Sequence, residues 1–597
     1  MSLLITGCGL NKSSNDTSTD VNVLLISIDT VRADHLSCYG YDRSTSPNLD
    51  ALAKRGVLYE RAYSQAPWTL VSHMSVFTSL LPSYHKVESI NQRLSIDIPL
   101  MAEMLKEEGW ETAAFVNNGQ MKQHWGFGRG FDLWREFEAL TPDGRTADEG
   151  RAKNITDHAV SWLEKRTKSG GTGKFFMFLH YFDAHDPYDP PAPFDGMFKP
   201  KDDIPMLGEE TGMIVQRYRM KGAGLPDPRI VPKLISLYDG EIRYNDYHLG
   251  RLFAKLDELD IQKNTLVVVF SDHGEEFKEH GSFLHGGTLY REVLHVPLII
   301  SCPGRVPEGA RSPQPARLID ILPTILHVCE LQPYQNAQGV SLLPIEYDAT
   351  RFGEIDIRSE TKALLEGTVL KSIRTGPLTY IYSPLDGSEE LYDRSEDPDE
   401  QRDVSADSPV TGEFRGEMER WMNRTEAYWT ITLTPDSKDK AITGRLETSE
   451  GLFGVVVPSG FDLFGNDNIS FSEELDRVGF SVSLSKGSKT FYFETTPDDA
   501  VVSFELVVDG DRLSTDSIGI GDDLRRPKGI PFGLDLSTEA QPPFRSLSND
   551  IQLDALPTIT VSGFRSPDKI SGLEDPDNQR RPDAKLLREL KQLGYMQ

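Results

Sequence analysis

The segment NVLLISID, residues 22–29, runs apolar without alternation and ends on a carboxylate. A strand with one wet face alternates, whereas a strand covered on both faces does not, so this run predicts a strand inside a covered parallel sheet. The same texture returns in KFFMFLHYFDAH at 174–185, NTLVVVFSDHGEE at 264–276 and HVPLIISCPG at 295–304. Among these runs lie SPNLDALAKRG, PLMAEMLKEEG and ISLYDGEIRYNDYHLGRLFAKLDEL, with apolar residues three and four positions apart, and two of the three close on glycine. Alternating strands and helices predict an α/β fold with a mostly parallel central sheet flanked by helices.

Further along, the pattern changes. Over 361–426, KSIRTGPLTYIYSP and EELYDRSEDPDEQRD read as a meander and GEFRGEMERWM as a helix against it. From 427 to 520, short alternating segments such as FGVVVPSG, VGFSVSLSKG and KTFYFETTP are divided by glycine, proline and aspartate. They predict a C-terminal all-β module of sandwich type. Residues 521–583, rich in proline, aspartate and serine, are expected to be irregular, and the apolar stripe of LRELKQLGYMQ predicts a closing helix over 584–597.

The totals narrow the function. At 597 residues the chain exceeds what one hydrophobic core serves, so at least two domains are expected. Against 63 basic residues stand 92 acidic ones, a net charge of -29 that repels phosphate backbones and argues against nucleic-acid binding. An anionic substrate stays open to it, because a bound metal inverts the local field. No apolar run reaches the roughly 20 residues of a membrane-spanning helix. The four cysteines, at 8, 38, 302 and 329, form neither a disulfide framework nor a CxxC pattern. Cys38, Cys302 and Cys329 read as buried apolar residues, with a Cys302–Cys329 bridge as the alternative. The opening MSLLITGC, followed by the polar GLNKSSNDTSTD, resembles the end of a bacterial lipoprotein signal, though its apolar part is short. That resemblance implies a tether over 1–20, a lipidated Cys8 and peripheral attachment in the bacterial cell envelope, periplasmic or surface-exposed.

Chemistry gathers at strand ends. One strand finishes at Asp29, one at His180, Asp183 and His185, and one at Ser271-Asp272-His273-Gly274. In parallel α/β sheets, sites form outside the carboxyl ends of strands. A single aspartate there often caps a helix. Three such ends together, one reading DHG directly after a wholly apolar strand, point instead to a metal or proton-transfer site.

In this order the pieces resemble the sulfatase family, within the alkaline-phosphatase-like metallohydrolases. They are NVLLISIDTVRADHLSCYGY, APWTLVSHMSVFTSLLPSYH, KFFMFLHYFDAHDPYDPP, NTLVVVFSDHGEEFKEHGSFLHGGTLYREVLHVPLII and ELYDRSEDPDEQRD. The resemblance implies a catalytic domain over 21–426, with 361–426 as its C-terminal subdomain. It also implies a divalent metal on Asp29, Asp272, His273 and Thr69. Many members carry a second aspartate where Thr30 stands, and losing it weakens an all-oxygen calcium cage. Two carboxylates, an imidazole and an alkoxide favour zinc or manganese, with calcium or magnesium as alternatives.

The family signature is cysteine or serine, any residue, proline, serine and arginine, before a helix closing on threonine-glycine. Here Thr69, Leu70, Val71, Ser72 and His73 fill the five places, and Thr78-Ser79 closes the helix. Thr69 therefore takes the nucleophile position, and no formylglycine is expected from it. Phosphodiesterase and phosphoglycerol-transferase branches resemble this chain in using threonine there, activated by its metal. By the same resemblance Ser72 is structural, His73 replaces the arginine as a hydrogen-bond donor, His185 contacts substrate oxygens and His285 stabilises the leaving group. Arg32 and Asp34 support the loop after the first strand. Asp183, His185 and His285 could alternatively hold a second ion, while His180 and His280 read as core or surface histidines. The expected activity is hydrolysis of small-molecule, glycan or lipid sulfate or phosphate esters. The alternatives are transfer of a phospho-headgroup, or a pseudoenzyme that binds surface glycans.

Overall fold

The computed structural model describes residues 21–512, outside short stretches of which the longest are 216–224 and 344–354, together with strands Gly533–Asp535 and Thr558–Arg565. The expected tether with Cys8 and the expected closing helix lie outside the described residues.

The central sheet is built from β1 (Asn22–Ile28), β2 (Val57–Tyr63), β3 (Glu111–Asn117), β4 (Leu133–Phe137), β5 (Phe175–Tyr181) and β6 (Thr265–Phe270). A small hairpin, β7 (Glu276–Phe277) with β8 (Phe283–Leu284), and the short β9 (His295–Val296) precede β10 (Leu298–Ser301) and β11 (Ala310–Arg317). The strand order is β11-β2-β10-β6-β1-β5-β3-β4, with β9 beside β2. β1 runs parallel to both β5 and β6, and Ser27 sits between His180 and Phe270 in register. The C-terminal ends of β6, β1 and β5 therefore open side by side on one edge.

The apolar runs behave as a doubly covered sheet requires. Val23, Leu25, Phe176, Phe178, Leu266 and Val268 belong to one core, and Leu24, Ile26, Met177, Leu179, Val267 and Val269 to another. Helix α1 (Pro47–Ala53) and the long helix Ile230–Glu258 cover the second face, whereas α2 (Thr69–Thr78) covers the first with Met74 and Phe77. The run at 295–304 does form a buried strand, but β10 is antiparallel to both β2 and β6. Continuous apolarity reports burial and carries no direction. Cys302 and Cys329 are free, buried thiols of the first core rather than a bridge.

Beyond the sheet, strands Ile357–Ala363, Thr368–Thr375, Leu378–Tyr382 and Glu389–Asp393 form an antiparallel meander. Helix Thr411–Thr425 packs Met418 and Trp421 against it. The β module consists of two antiparallel sheets. Ala427–Thr434 lies between Lys489–Thr496 and Thr558–Arg565 in one, and Ala441–Thr448 lies between Arg477–Ser483 and Val501–Val508 in the other. Phe480 and Phe491 meet between the sheets with ring centroids 4.4 Å apart. Within the stretch expected to be irregular, 521–583, the described residues are strands Gly533–Asp535 and Thr558–Arg565. TITVSGFR alternates well enough to pair, and only its proline-rich flanks hid it.

Candidate metal and nucleophile site

Each inner side chain is fixed by backbone from a neighbouring strand end. The Asp29 amide donates to the Tyr181 carbonyl at 2.8 Å, tying the end of β1 to that of β5. Thr30 follows in the left-handed region at φ 58, an uncommon and strained place for a β-branched residue. It is held there by its hydroxyl, which donates to the Ala184 carbonyl at 2.6 Å, and by Tyr238 OH, which donates to its carbonyl at 2.8 Å.

Asp272 Oδ1 accepts from the amides of His273 at 3.0 Å and Thr30 at 3.3 Å. Its Oδ2 is buried and makes no hydrogen bond among the described residues. His273 donates from Nδ1 to the Gly274 carbonyl at 3.0 Å, leaving the lone pair on Nε2. That nitrogen lies 3.4 Å from Asp272 Oδ2, 3.6 Å from Asp29 Oδ1 and 3.3 Å from Thr69 Oγ1. Asp29, Asp272 and His273 are fully buried and offer ligand atoms within 4.8 Å of one another. An acceptor-only cluster with a bare carboxylate oxygen suits a divalent cation.

Thr69 is the first residue of α2, after an extended Trp68, so its hydroxyl stands at the positive end of a helix whose residues are all buried. Gln120 accepts the Leu70 amide at 3.0 Å and holds that end in place. Ser72 donates to the Asp272 carbonyl at 2.7 Å and pairs with Ser64 Oγ at 3.0 Å, pinning α2 to the β6 loop. The helix ends on Ser79 at φ 58, a conformation glycine adopts freely, and Ser79 Oγ bonds the Ile319 carbonyl at 2.7 Å. His73 lies beneath the helix, with Nδ1 2.9 Å from the Thr69 carbonyl and Nε2 2.9 Å from Ser27 Oγ.

The outer wall is imidazole. His185 stacks on Phe182 at 4.4 Å and donates from Nδ1 to the Asp186 carbonyl at 2.7 Å. His285 donates from Nδ1 to Glu275 Oε1 at 2.9 Å, and its ring centroid lies 4.3 Å from His273 and 5.0 Å from His185. Arg32 forks onto Asp34 at 2.9 and 2.8 Å, pairs with Glu279, and reaches the Glu275 carbonyl at 3.1 Å.

Electrostatics separates these groups. Burial pushes the Asp272 carboxyl well up, helped by Asp29. Burial works on Asp29 in the same direction, but the His180 side chain 3.4 Å away, and the His185 and His273 rings whenever they carry a proton, outweigh it and hold Asp29 well below the usual carboxylate range. Two such carboxylates accept one charge readily and resist the second until a cation joins them. Burial lowers the imidazoles of His73 and His273, and takes His185 down to about 4, so these rings are neutral at pH 7.

Residues 21–331 match the family model described as Sulfatase, more than half of the chain. The chain belongs to the sulfatase family. It is thereby an ester hydrolase by descent. Over 425 residues it is 25% identical to a sulfatase of Formosa agariphila, covering 64% of this chain and 82% of that one. It is 26% identical over 354 residues to human iduronate 2-sulfatase, covering 51% of this chain and 64% of that one. The fold is similar to that of the phosphonate monoester hydrolase of Agrobacterium radiobacter, with a TM-score of 0.55 and 19% identity, covering 67% of this chain and 95% of that one.

In this sulfatase-family chain the fold brings together Asp29, Thr69, Asp272 and His273, with His185 and His285 beside them. It does not bring Asp183 to them as a ligand. Asp183 Oδ2 accepts the Ala152 amide at 2.6 Å at the start of helix Ala152–Lys168, and Oδ1 lies 3.6 Å from Arg151. The grouping of Asp183 with His185 and His285 around a second ion is thus not formed. His280 lies away from the site, paired with Glu292 at 2.8 Å and stacked on Tyr290. Glu275 was missed, although a carboxylate directly after DHG was in plain view. Gln120 had no sequence signal, being one amide in a polar loop. His180 is buried, with its Nε2 3.4 Å from Asp29 Oδ2.

Proposed function

We propose that this chain hydrolyses sulfate or phosphate esters with Thr69 Oγ1 as nucleophile. One observation carries the reading: that hydroxyl begins a helix 3.3 Å from His273 Nε2, beside a buried trio of metal-ligating atoms. Asp29, Asp272, His273 and Thr69 would hold a divalent cation. Bound there, the ion lowers the hydroxyl pKa and offsets charge on the transferring group. The nitrogen donor and the missing second aspartate favour zinc or manganese over calcium.

Thr69 Oγ1, its proton released to solvent, attacks sulfur or phosphorus in line as the bond to the leaving oxygen breaks, and the group is left as an ester on the threonine side chain. His285 enters the step as the imidazolium, with Glu275 setting its ring orientation through Nδ1, and the leaving alkoxide takes its Nε2 proton. Water then cleaves the threonine ester, with His285 returning as base. His185 binds a non-bridging oxygen. Threonine does not supply formylglycine, so the hydroxyl itself must carry the group.

The natural esters fall in the class of sulfated or phosphorylated glycans or small molecules, a reading supported by relatives such as iduronate 2-sulfatase. Among the described residues no helix is long and apolar enough to cross a membrane. We place the protein in the cell envelope on the strength of the lipoprotein-like MSLLITGC and Cys8. The test is rapid quenching of metal-loaded protein with nitrophenyl sulfate, phosphate, phosphodiester and phosphonate monoester substrates, followed by peptide mass spectrometry. A phosphorylated or sulfated Thr69 peptide is expected, absent in Thr69→Ala. A Thr69→Ala chain that turns over these esters at the parent rate would remove Thr69 from the mechanism.

A further inference from the structure

A second trio of ligand atoms lies under helix α2. His73, His180 and Asp272 are fully buried, and one atom from each falls within 4.8 Å of the others. The trio shares only Asp272 with the trio of Asp29, Asp272 and His273. His180 continues the alternation of Phe176 and Phe178, so it stands on the face of the sheet that α2 covers, opposite His73, with ring centroids 5.0 Å apart.

The details favour coordination over ordinary packing. His180 donates from Nδ1 to the Asn117 carbonyl, which leaves the lone pair on Nε2, the usual arrangement of a metal-bound histidine. That Nε2 is buried and makes no hydrogen bond among the described residues, and the same holds for Asp272 Oδ2. Leaving such atoms unsatisfied in a dry interior is costly, and a cation satisfies both. Asp29 turns Oδ2 to His180 at 3.4 Å and Oδ1 to His273 at 3.6 Å. Asp272 Oδ2 stands 3.4 Å from His73 Nδ1 and 3.4 Å from His273 Nε2. Bonds of about 2.1 Å in tetrahedral array set neighbouring ligands roughly 3.4 Å apart, so these are ligand-to-ligand spacings. Coordination through His73 Nδ1 gives up its 2.9 Å hydrogen bond to the Thr69 carbonyl and moves the ring proton to Nε2, where Ser27 Oγ, 2.9 Å away, can accept it.

We propose that a second divalent cation binds between His73, His180 and Asp272, with the carboxylates of Asp29 and Asp272 shared between the two ions. This site rests on the reading of the first trio as a metal centre. It differs from the grouping of Asp183, His185 and His285, which the fold separates. The ion sits behind the nucleophile, between α2 and the ends of β1 and β5.

The full chain loaded with manganese and freed of excess ion should retain two ions by elemental analysis. Its electron paramagnetic resonance should show two coupled manganese ions. His180→Gln, checked for native folding by circular dichroism, should retain one ion and give the six-line signal of an isolated centre. His73→Gln, measured in the same way, serves if the first variant does not fold. One ion in both parent and variant overturns the second site and leaves the first standing. One ion in the parent and none in His180→Gln places His180 in a single centre and overturns the pair. Two ions in both overturn the residue assignment, and none in the parent overturns the catalytic-metal reading itself.

Discussion

The inner and outer halves of the site are built on different rules. Inside, Asp29, Asp272 and His273 are positioned through main-chain contacts: Asp29 by its amide, Asp272 by two amides on Oδ1, His273 by a carbonyl on Nδ1. The strand ends of β1 and β6 therefore set their place. Outside, His185 also gives Nδ1 to a carbonyl, that of Asp186, but His285 is held by a side chain, Glu275, which is itself held by Tyr188 OH at 3.0 Å, and both Glu275 and His285 come from loops. A metal centre must keep its ligand spacing whether or not substrate is present. A wall that meets successive reacting oxygens must hold a tautomer and tolerate small shifts. Substitutions in the two halves should therefore fail differently.

The largest effect belongs to the inner half. Thr69→Ala should lower kcat on the order of 10⁴-fold or more, because the covalent step disappears while binding survives. Thr69→Ser keeps the oxygen and should stay within about tenfold of the parent. Steady-state kinetics on a nitrophenyl ester, beside metal content, checks both. If alanine and serine behave alike, Thr69 is a helix-cap residue and the inner half is structural.

The outer half should lose less. His285→Ala should cost roughly 10²- to 10³-fold in kcat for an ester with a poor leaving group, and much less for nitrophenolate, which needs no proton. Glu275→Gln keeps the shape but removes the charge that orients His285, and roughly 10- to 100-fold is expected on the same substrate. The contrast between leaving groups is the decisive reading. An equal loss on both would make His285 a packing residue or a metal ligand, and would erase the distinction between the halves.

How much of this was legible beforehand follows from the length scale of each signal. The ends of β1, β5 and β6 could be read because an unbroken apolar run announces a covered strand, and three of them brought Asp29, His180 and Asp272-His273 to one edge. The loop that leads into α2 and its Thr69 could be singled out from its order of residues. Past a strand end the period vanishes, and nothing in the sequence tells Asp183, which anchors helix Ala152–Lys168, from a ligand. His180 was readable in principle, since it extends the alternation of Phe176 and Phe178, but a lone histidine in a core run is usually inert. Thr558–Arg565 needed a partner more than a hundred residues upstream, at Ala427–Thr434, which local composition does not report. Also illegible was the buried Lys362, whose ammonium joins Glu88 of the sheet domain at 2.9 Å and Glu494 of the β module at 2.6 Å. Such ties depend on how domains dock, and no local pattern encodes that.

The smallest expected effect is a pH dependence, and it tests the outer half most finely. His185 in the free chain is neutral at pH 7, because burial takes it down to about 4 and the attraction of Asp29 only partly opposes this. With Nδ1 committed to the Asp186 carbonyl, its Nε2 can donate to an anionic oxygen only after taking up a proton. Binding an anion must therefore draw a proton from solution at any pH between about 4 and the raised value in the complex. The sign is fixed: affinity falls as pH rises, by at most about tenfold per unit. Inorganic sulfate does not titrate between pH 5 and 9, so its inhibition constant against a nitrophenyl ester should rise across that range. In His185→Gln, whose amide donates at every pH, the slope should flatten. A slope undiminished in that variant would assign the proton to the inner half, and His185 would then serve only to shape the wall.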